Sequence, residues 1–294
     1  MMAILNSYQR ARILVLSACI LCFVLFWFGG SYTRIPLERG SHASASLIQQ
    51  SSPLITWPLV ILFFVAAALV GTAISGMIRF NAGLVAACVG LGALSLRGGS
   101  SRATIFRALA HDAVPRVFLL LAVETAILAI LIGIIWVVLR RLYEMGKIKD
   151  RESADMLEED LFPDRDALAS LAIQTIVTCI CILLIARTAA KQQVIAAVFI
   201  ASLLGPMAVQ WLYPARLRGW HWLPPLLVGI VGYIAAWYDP TGAQIGDLNG
   251  TFAALARPLP LDYASAGPAG AIIGQWIAHR WQRQRELDGK PATA

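Results

Sequence analysis

The sequence predicts an all-α, polytopic membrane protein, and three observations support this class. The 294-residue chain is 58% hydrophobic and only 14% charged, whereas soluble domains carry about 25% charged residues. Its mean hydropathy is +0.69. Its apolar residues lie in unbroken runs that suit helical crossings of roughly 20 residues, without the two-residue alternation of transmembrane β-strands. We therefore expect a single integral membrane helical bundle over residues 1–294.

The apolar runs predict eight transmembrane helices, or seven if the third run does not cross. Two runs are not long, uninterrupted apolar stretches like the others: the third is short and contains glycine, and the eighth contains Pro268. The predicted spans cover about 13–30, 55–77, 80–96, 118–141, 168–186, 193–213, 222–238 and 261–279.

Lysine and arginine predict the orientation, because they are concentrated in cytoplasmic loops. With eight spans and a cytoplasmic N-terminus, 15 of these residues fall on the cytoplasmic side and 9 on the other side. Seven spans give at best 14 against 10. We therefore expect both termini in the cytoplasm and a location in a bacterial-type cytoplasmic (inner) membrane.

Residues 140–166 form the predicted charged cytoplasmic loop between the fourth and fifth spans. Residues 140–151 hold five basic and two acidic side chains, and residues 152–166 hold seven acidic side chains and one arginine. Asp155, Glu158 and Glu159 would share one face if this segment were helical. Such a face could hold Mg²⁺ or Ca²⁺ through its carboxylate oxygens or dock a basic partner, and a solvated helical connector is the preferred interpretation.

Glu124 is the one charged residue of the fourth span before Arg140. A carboxylate facing lipid is energetically costly, so the sequence predicts that Glu124 is enclosed by helices or borders a wet cavity. Two interpretations remain open, a polar clamp between helices and a site for transport or proton relay. Polar partners expected at similar depth are Arg97, Gln193, Ser202 and Tyr263.

Glycine–proline pairs interrupt two C-terminal spans and predict helix breaks there. Proline removes a backbone N–H and can break or kink a helix, and broken helices expose termini that bind ions or substrates. Kinks that serve packing alone are common in membrane helices and are the preferred interpretation of these pairs. The candidates are Gly205, Pro206, Gly267 and Pro268. The eighth span also has small residues at four-residue spacing, which predict close contact with another helix; these are Ala266, Gly270, Gly274 and Ala278.

Other functional signals are weak. The five cysteines lie inside apolar runs and the four histidines are scattered, so neither a zinc site nor another metal or cofactor site is predicted. No basic stripe interleaved with aromatic residues predicts nucleic-acid binding. The net charge of +7 is accounted for by the positive-inside rule.

Three function classes follow from these features. The preferred one is a transporter or permease-like component with a polar site near Glu124 and the broken C-terminal helices, acting on a small-molecule substrate that the sequence does not identify. The alternative is a non-catalytic membrane scaffold or subunit that docks a soluble or membrane protein partner through residues 152–166. An enzyme acting on lipid is disfavoured, because no paired carboxylates or nucleophile–base sets occur.

Overall fold

The computed structural model describes residues 7–30, 32, 46–48, 52–75, 81–99, 114–145, 165–212, 220–239 and 254–288. These residues are 89% helical and contain no strand. The α-helices are α1 (Ser7–Gly29), α2 (Pro53–Ser75), α3 (Ala82–Arg97), α4 (Val114–Met145), α5 (Arg165–Ile185), α6 (Lys191–Leu212), α7 (Pro224–Tyr238) and α8 (Pro260–Asp288), and a short 3₁₀ helix covers Ala254–Ala256.

Five of these helices (α1, α2, α4, α5 and α6) are long and apolar enough to cross a membrane. Their apolar segments are 21 to 31 residues long, and at about 1.5 Å per residue even the shortest spans the roughly 30 Å hydrocarbon core. The shorter helices α3 and α7 are also apolar. The prediction of a helical membrane protein is therefore confirmed, and each predicted span overlaps one of the helices.

The middle of the bundle is formed by α3 and α8, the two spans that departed from the general pattern. Helix α3 packs against α1, α2 and α8, and α8 packs mainly against α6 and α3. Thirteen of the 16 residues of α3 are buried. Enclosed helices need not match lipid in length or hydropathy, which explains why these two carry weaker sequence signals.

Close contact between α6 and α8 follows from the small residues of α8. A Cβ added to Gly270 or Gly274 would lie closer than 3.0 Å to backbone atoms of α6, the carbonyl oxygens of Phe199 and Leu203. Backbone atoms cannot move aside as a flexible side chain can. The predicted small-residue contact is thus confirmed at these two glycines.

The predicted helix breaks are wrong, because α6 and α8 continue through their prolines. Pro206 lies inside Lys191–Leu212 and Pro268 inside Pro260–Asp288. The adjacent glycines let other helices approach closely: Gly205 faces Gln174 of α5, and Gly267 faces Pro225 of α7. Packing therefore accounts for these glycine–proline pairs, and proline is tolerated where neighbouring helices support the backbone.

Helical structure extends into both ends of the predicted charged loop. Helix α4 continues to Met145, so Arg140 and Arg141 are helical, and α5 begins at Arg165. Both arginines bond to Glu144 on the same helix, at 3.0 and 3.4 Å. Asp155, Glu158 and Glu159 lie outside the described residues, so the predicted docking face stays a prediction.

Candidate functional site

Glu124 is fully buried and holds a short folded segment that precedes α2. The Ser46 hydroxyl donates to Oε2 at 2.5 Å, and the Leu47 N–H donates to Oε1 at 2.9 Å. The Ile48 N–H adds a third hydrogen bond to Oε2 at 3.3 Å. Three donors from consecutive residues thus converge on one carboxylate, which provides the hydrogen bonds that burial requires.

The polar residues expected beside Glu124 form other contacts in the structure. Arg97 donates to the Trp27 carbonyl and lies over the Trp27 ring at 5.7 Å. The Thr188 N–H donates to Gln193 Oε1 at 3.0 Å. These two side chains therefore fix chain segments near helix ends, and neither is bonded to Glu124.

Ser202 and Tyr263, the other two expected partners, lie on α6 and α8. Ser202 Oγ lies 3.8 Å from the position of a Cβ on Gly267, and it accepts or donates no hydrogen bond within the described part of the chain. The Tyr263 hydroxyl donates to the Leu255 carbonyl at 2.7 Å. Among the predicted site residues the structure thus brings Ser202 and Gly267 together, and the hydrogen bonds described for Glu124 come from neither of them.

A second buried carboxylate, Asp262, was missed by the sequence analysis. Lys191 Nζ lies 2.7 Å from Asp262 Oδ1, with side-chain exposures of 7% and 1%. The Ser95 hydroxyl also donates to Oδ1. This ion pair joins the start of α6, the end of α3 and the start of α8 inside the bundle.

Asp262 also caps its own helix. Pro260 is the first residue of α8, a position where the missing proline N–H costs no hydrogen bond. Asp262, two residues later, accepts the Leu259 N–H on Oδ2 at 2.8 Å. This geometry corresponds to one half of a capping box. A proline followed by an acid two residues later was the sequence signal that could have revealed it.

Asp262 lies at one end of the bundle, which we call the carboxylate end. This end gathers the end of α3 with the starts of α6 and α8, and the end of α5 through the bond from Arg257 to the Ala186 carbonyl. Tyr233 of α7 reaches the same end, since its hydroxyl donates to the Pro258 carbonyl. This end is therefore tied together by buried polar contacts.

A large apolar groove opens between α1, α3, α6 and α8. Its volume is about 670 Å³, within the range of small-molecule sites. Leu16 and Ile20, on its α1 wall, are 62% and 57% exposed, so the groove is accessible from the side of the bundle. The lining comprises Ala11, Arg12, Val15, Leu16, Cys19, Ile20, Phe23, Val85, Val89, Phe199, Ile273, Trp276, Ile277 and Arg280.

The groove has its charge at one end. Arg12 lies near the start of α1 and Arg280 near the end of α8, and these are the two charged residues of the lining. The start of α8 belongs to the carboxylate end, and so does the end of α1, which the bond from Arg97 to the Trp27 carbonyl joins to the end of α3. Both arginines therefore lie at the opposite end of the bundle. An apolar groove with cations at one end suits a molecule with an apolar body and an anionic head.

Metal chemistry receives no support from the described residues, which contain no group of three or more His, Cys, Asp or Glu side chains placed to hold an ion. Comparison with known proteins finds no matching family model, no similar curated protein and no similar solved structure.

Proposed function

We propose that the protein is a transporter or permease-like component that moves an amphipathic solute along the groove between α1, α3, α6 and α8. The groove itself carries the proposal, since a lateral opening into lipid admits molecules already dissolved in the bilayer. Its lining is almost wholly apolar, which disfavours a small, fully hydrated solute.

Glu124 has a supporting role in this proposal. It is not part of the groove lining, and all three hydrogen bonds described for it come from residues 46–48. Of the two interpretations of this residue, the bonds favour the clamp over the proton relay. The Lys191–Asp262 pair likewise holds α6 to α8, two of the helices that border the groove.

We further propose eight crossings with both termini in the cytoplasm of a bacterial-type inner membrane. The starts of α6 and α8 meet at the Lys191–Asp262 pair, while the end of α3 meets the start of α8. The starts of α6 and α8 thus lie on the same side as the end of α3. This is the arrangement required when successive helices cross the membrane in alternating directions. The excess of lysine and arginine on one side, 15 against 9, supports the cytoplasmic assignment.

A translocation assay tests the proposed transport. The protein would be reconstituted into vesicles that carry a fluorescent phospholipid, and its movement between leaflets would be followed by chemical quenching from outside. We expect faster movement than in empty vesicles and a loss of at least about fivefold in Val89→Phe, since one added aromatic ring in the groove obstructs the solute.

Val123→Phe is the matched control, because Val123 is 44% exposed on α4 and lies outside the groove lining. It should behave like the wild type. Equal movement in empty and protein-containing vesicles, or an unaffected Val89→Phe protein, would contradict the proposal.

A further inference from the structure

We infer that the groove holds one anionic phospholipid, with its phosphate bound between Arg12 and Arg280 and its acyl chains along α1. This inference rests on the proposed function and specifies the class of the amphipathic molecule. It names the two arginines as the residues that select the headgroup.

The charge of the groove matches an anionic headgroup. Arg12 and Arg280 come from different helices and reach the same end of one apolar groove. Guanidinium groups bind phosphate through paired N–H donors, and two of them on opposite walls complement a single negative headgroup. A zwitterionic headgroup would add a cation to the same end.

The length of the groove is close to the thickness of one leaflet of the hydrocarbon core. Its α1 wall runs from Ala11 to Phe23, and 12 residue steps of about 1.5 Å give roughly 18 Å. One leaflet of the hydrocarbon core is about 15 Å thick, half of the roughly 30 Å total. Acyl chains that start at the two arginines therefore fill the apolar wall and end near Phe23.

The surrounding membrane supplies such a ligand. With both termini in the cytoplasm, Arg12 and Arg280 lie at the level of the cytoplasmic headgroups, where anionic lipids attract basic residues. The lateral opening beside Leu16 and Ile20 faces the same leaflet. A lipid can thus enter without leaving the bilayer.

Equilibrium binding to the purified full-length protein in neutral detergent tests this inference. The probes are fluorescent phosphatidylglycerol and fluorescent phosphatidylcholine with identical chains. We expect phosphatidylglycerol to bind more tightly, at one molecule per chain. Arg12→Gln and Arg280→Gln should each weaken its binding about tenfold, the size expected for a charge-assisted hydrogen bond. They should weaken phosphatidylcholine binding less, because the choline cation of that lipid is repelled by the arginines that hold its phosphate.

Two exposed arginines provide matched controls. Arg10 on α1 and Arg285 on α8 are exposed and lie outside the groove lining, so Arg10→Gln and Arg285→Gln change the net charge equally. Their affinities should stay within about twofold of the wild type, since neither guanidinium lines the groove. Arg12→Lys and Arg280→Lys, which keep the charge, replace any glutamine variant that does not fold.

The outcomes separate this inference from the proposed function. If Val89→Phe weakens binding of both lipids while the arginine variants change nothing, the groove binds amphiphiles without headgroup selection and the inference is wrong. If Val89→Phe also has no effect, the proposed function fails too. Displacement of phosphatidylglycerol by millimolar inorganic phosphate, or a dimer that Val89→Phe dissociates, would mean a free-anion site or a second copy of this chain instead, and would overturn the inference.

Discussion

At the scale of single residues, Glu124 stabilises the bundle by accepting three hydrogen bonds. Glu124→Ala removes the acceptor for the Ser46 hydroxyl and for two backbone N–H groups, so we expect a loss of about 2–4 kcal/mol. Glu124→Gln keeps an acceptor for Leu47 but presents an amide N–H to its other partners, and its loss should be about 1 kcal/mol. Thermal unfolding in detergent measures both.

Two further variants control the Glu124 experiment. Thr125→Val removes only a local bond to the Leu121 carbonyl and should cost under about 1 kcal/mol. Since Arg97 bonds to Trp27 rather than Glu124, Glu124→Gln and Arg97→Gln should have additive effects. A strong compensating interaction in the double variant would instead indicate a direct ion pair.

Removing one partner of the buried Lys191–Asp262 pair should cost more than removing one partner of a surface ion pair. Lys191→Met leaves the Asp262 charge buried without its cation, and we expect a loss of about 3–5 kcal/mol, which Lys191→Met with Asp262→Asn should partly recover. Arg141→Gln breaks a pair with side-chain exposures of 70% and 34% and should cost under about 1 kcal/mol. Equal losses of unfolding free energy in Lys191→Met and Arg141→Gln would show that burial does not increase the cost of breaking this ion pair.

At the scale of helices, the packing of α6 on α8 depends on glycine. Gly274→Ala places a Cβ against the Leu203 backbone, and the helices must separate, which should cost about 1–3 kcal/mol. Gly92→Ala is the control, because its Cβ would lie an ordinary 3.7 Å from Ser265 Cβ. Thermal unfolding of the two alanine variants should show a clear difference, and equal stabilities would contradict the described helix contact.

The helices were predictable from sequence because their signal is local. Most of the apolar runs are long enough to be read as spans, and the four-residue spacing of Gly270 and Gly274 marks a contact face without reference to the partner. Predicted breaks at Pro206 and Pro268 failed because a proline removes one hydrogen bond but does not by itself end a helix that neighbours support.

The polar contacts were not predictable, and the two carboxylates show why. Ser95 and Asp262 are 167 positions apart, and no local periodicity relates such residues. The partners of Glu124 are mainly backbone N–H groups, which nearly every residue carries, so no residue type in the sequence marks them. Sequence patterns therefore identified Glu124 as unusual but could not identify what it binds.

At the scale of the whole molecule, the orientation can be tested by cysteine labelling. Met145 at the end of α4 and Tyr238 at the end of α7 are 71% and 83% exposed. With the native cysteines replaced, Met145→Cys should react only from the cytoplasmic side and Tyr238→Cys only from outside, as the lysine and arginine count requires. Labelling of both positions from one side would contradict the eight-span topology.

The enclosure of α3 has a consequence for biosynthesis. Ser95 of α3 is translated 167 residues before Asp262, whose carboxylate accepts its hydrogen bond. At ribosomal rates of about 5–20 residues per second this delay is roughly 10–30 s. During that interval α3 is already made while α8, which later covers it, does not yet exist. The nascent bundle therefore keeps an unfilled place beside α3, and a chain that stops before α8 lacks the helix that completes its interior.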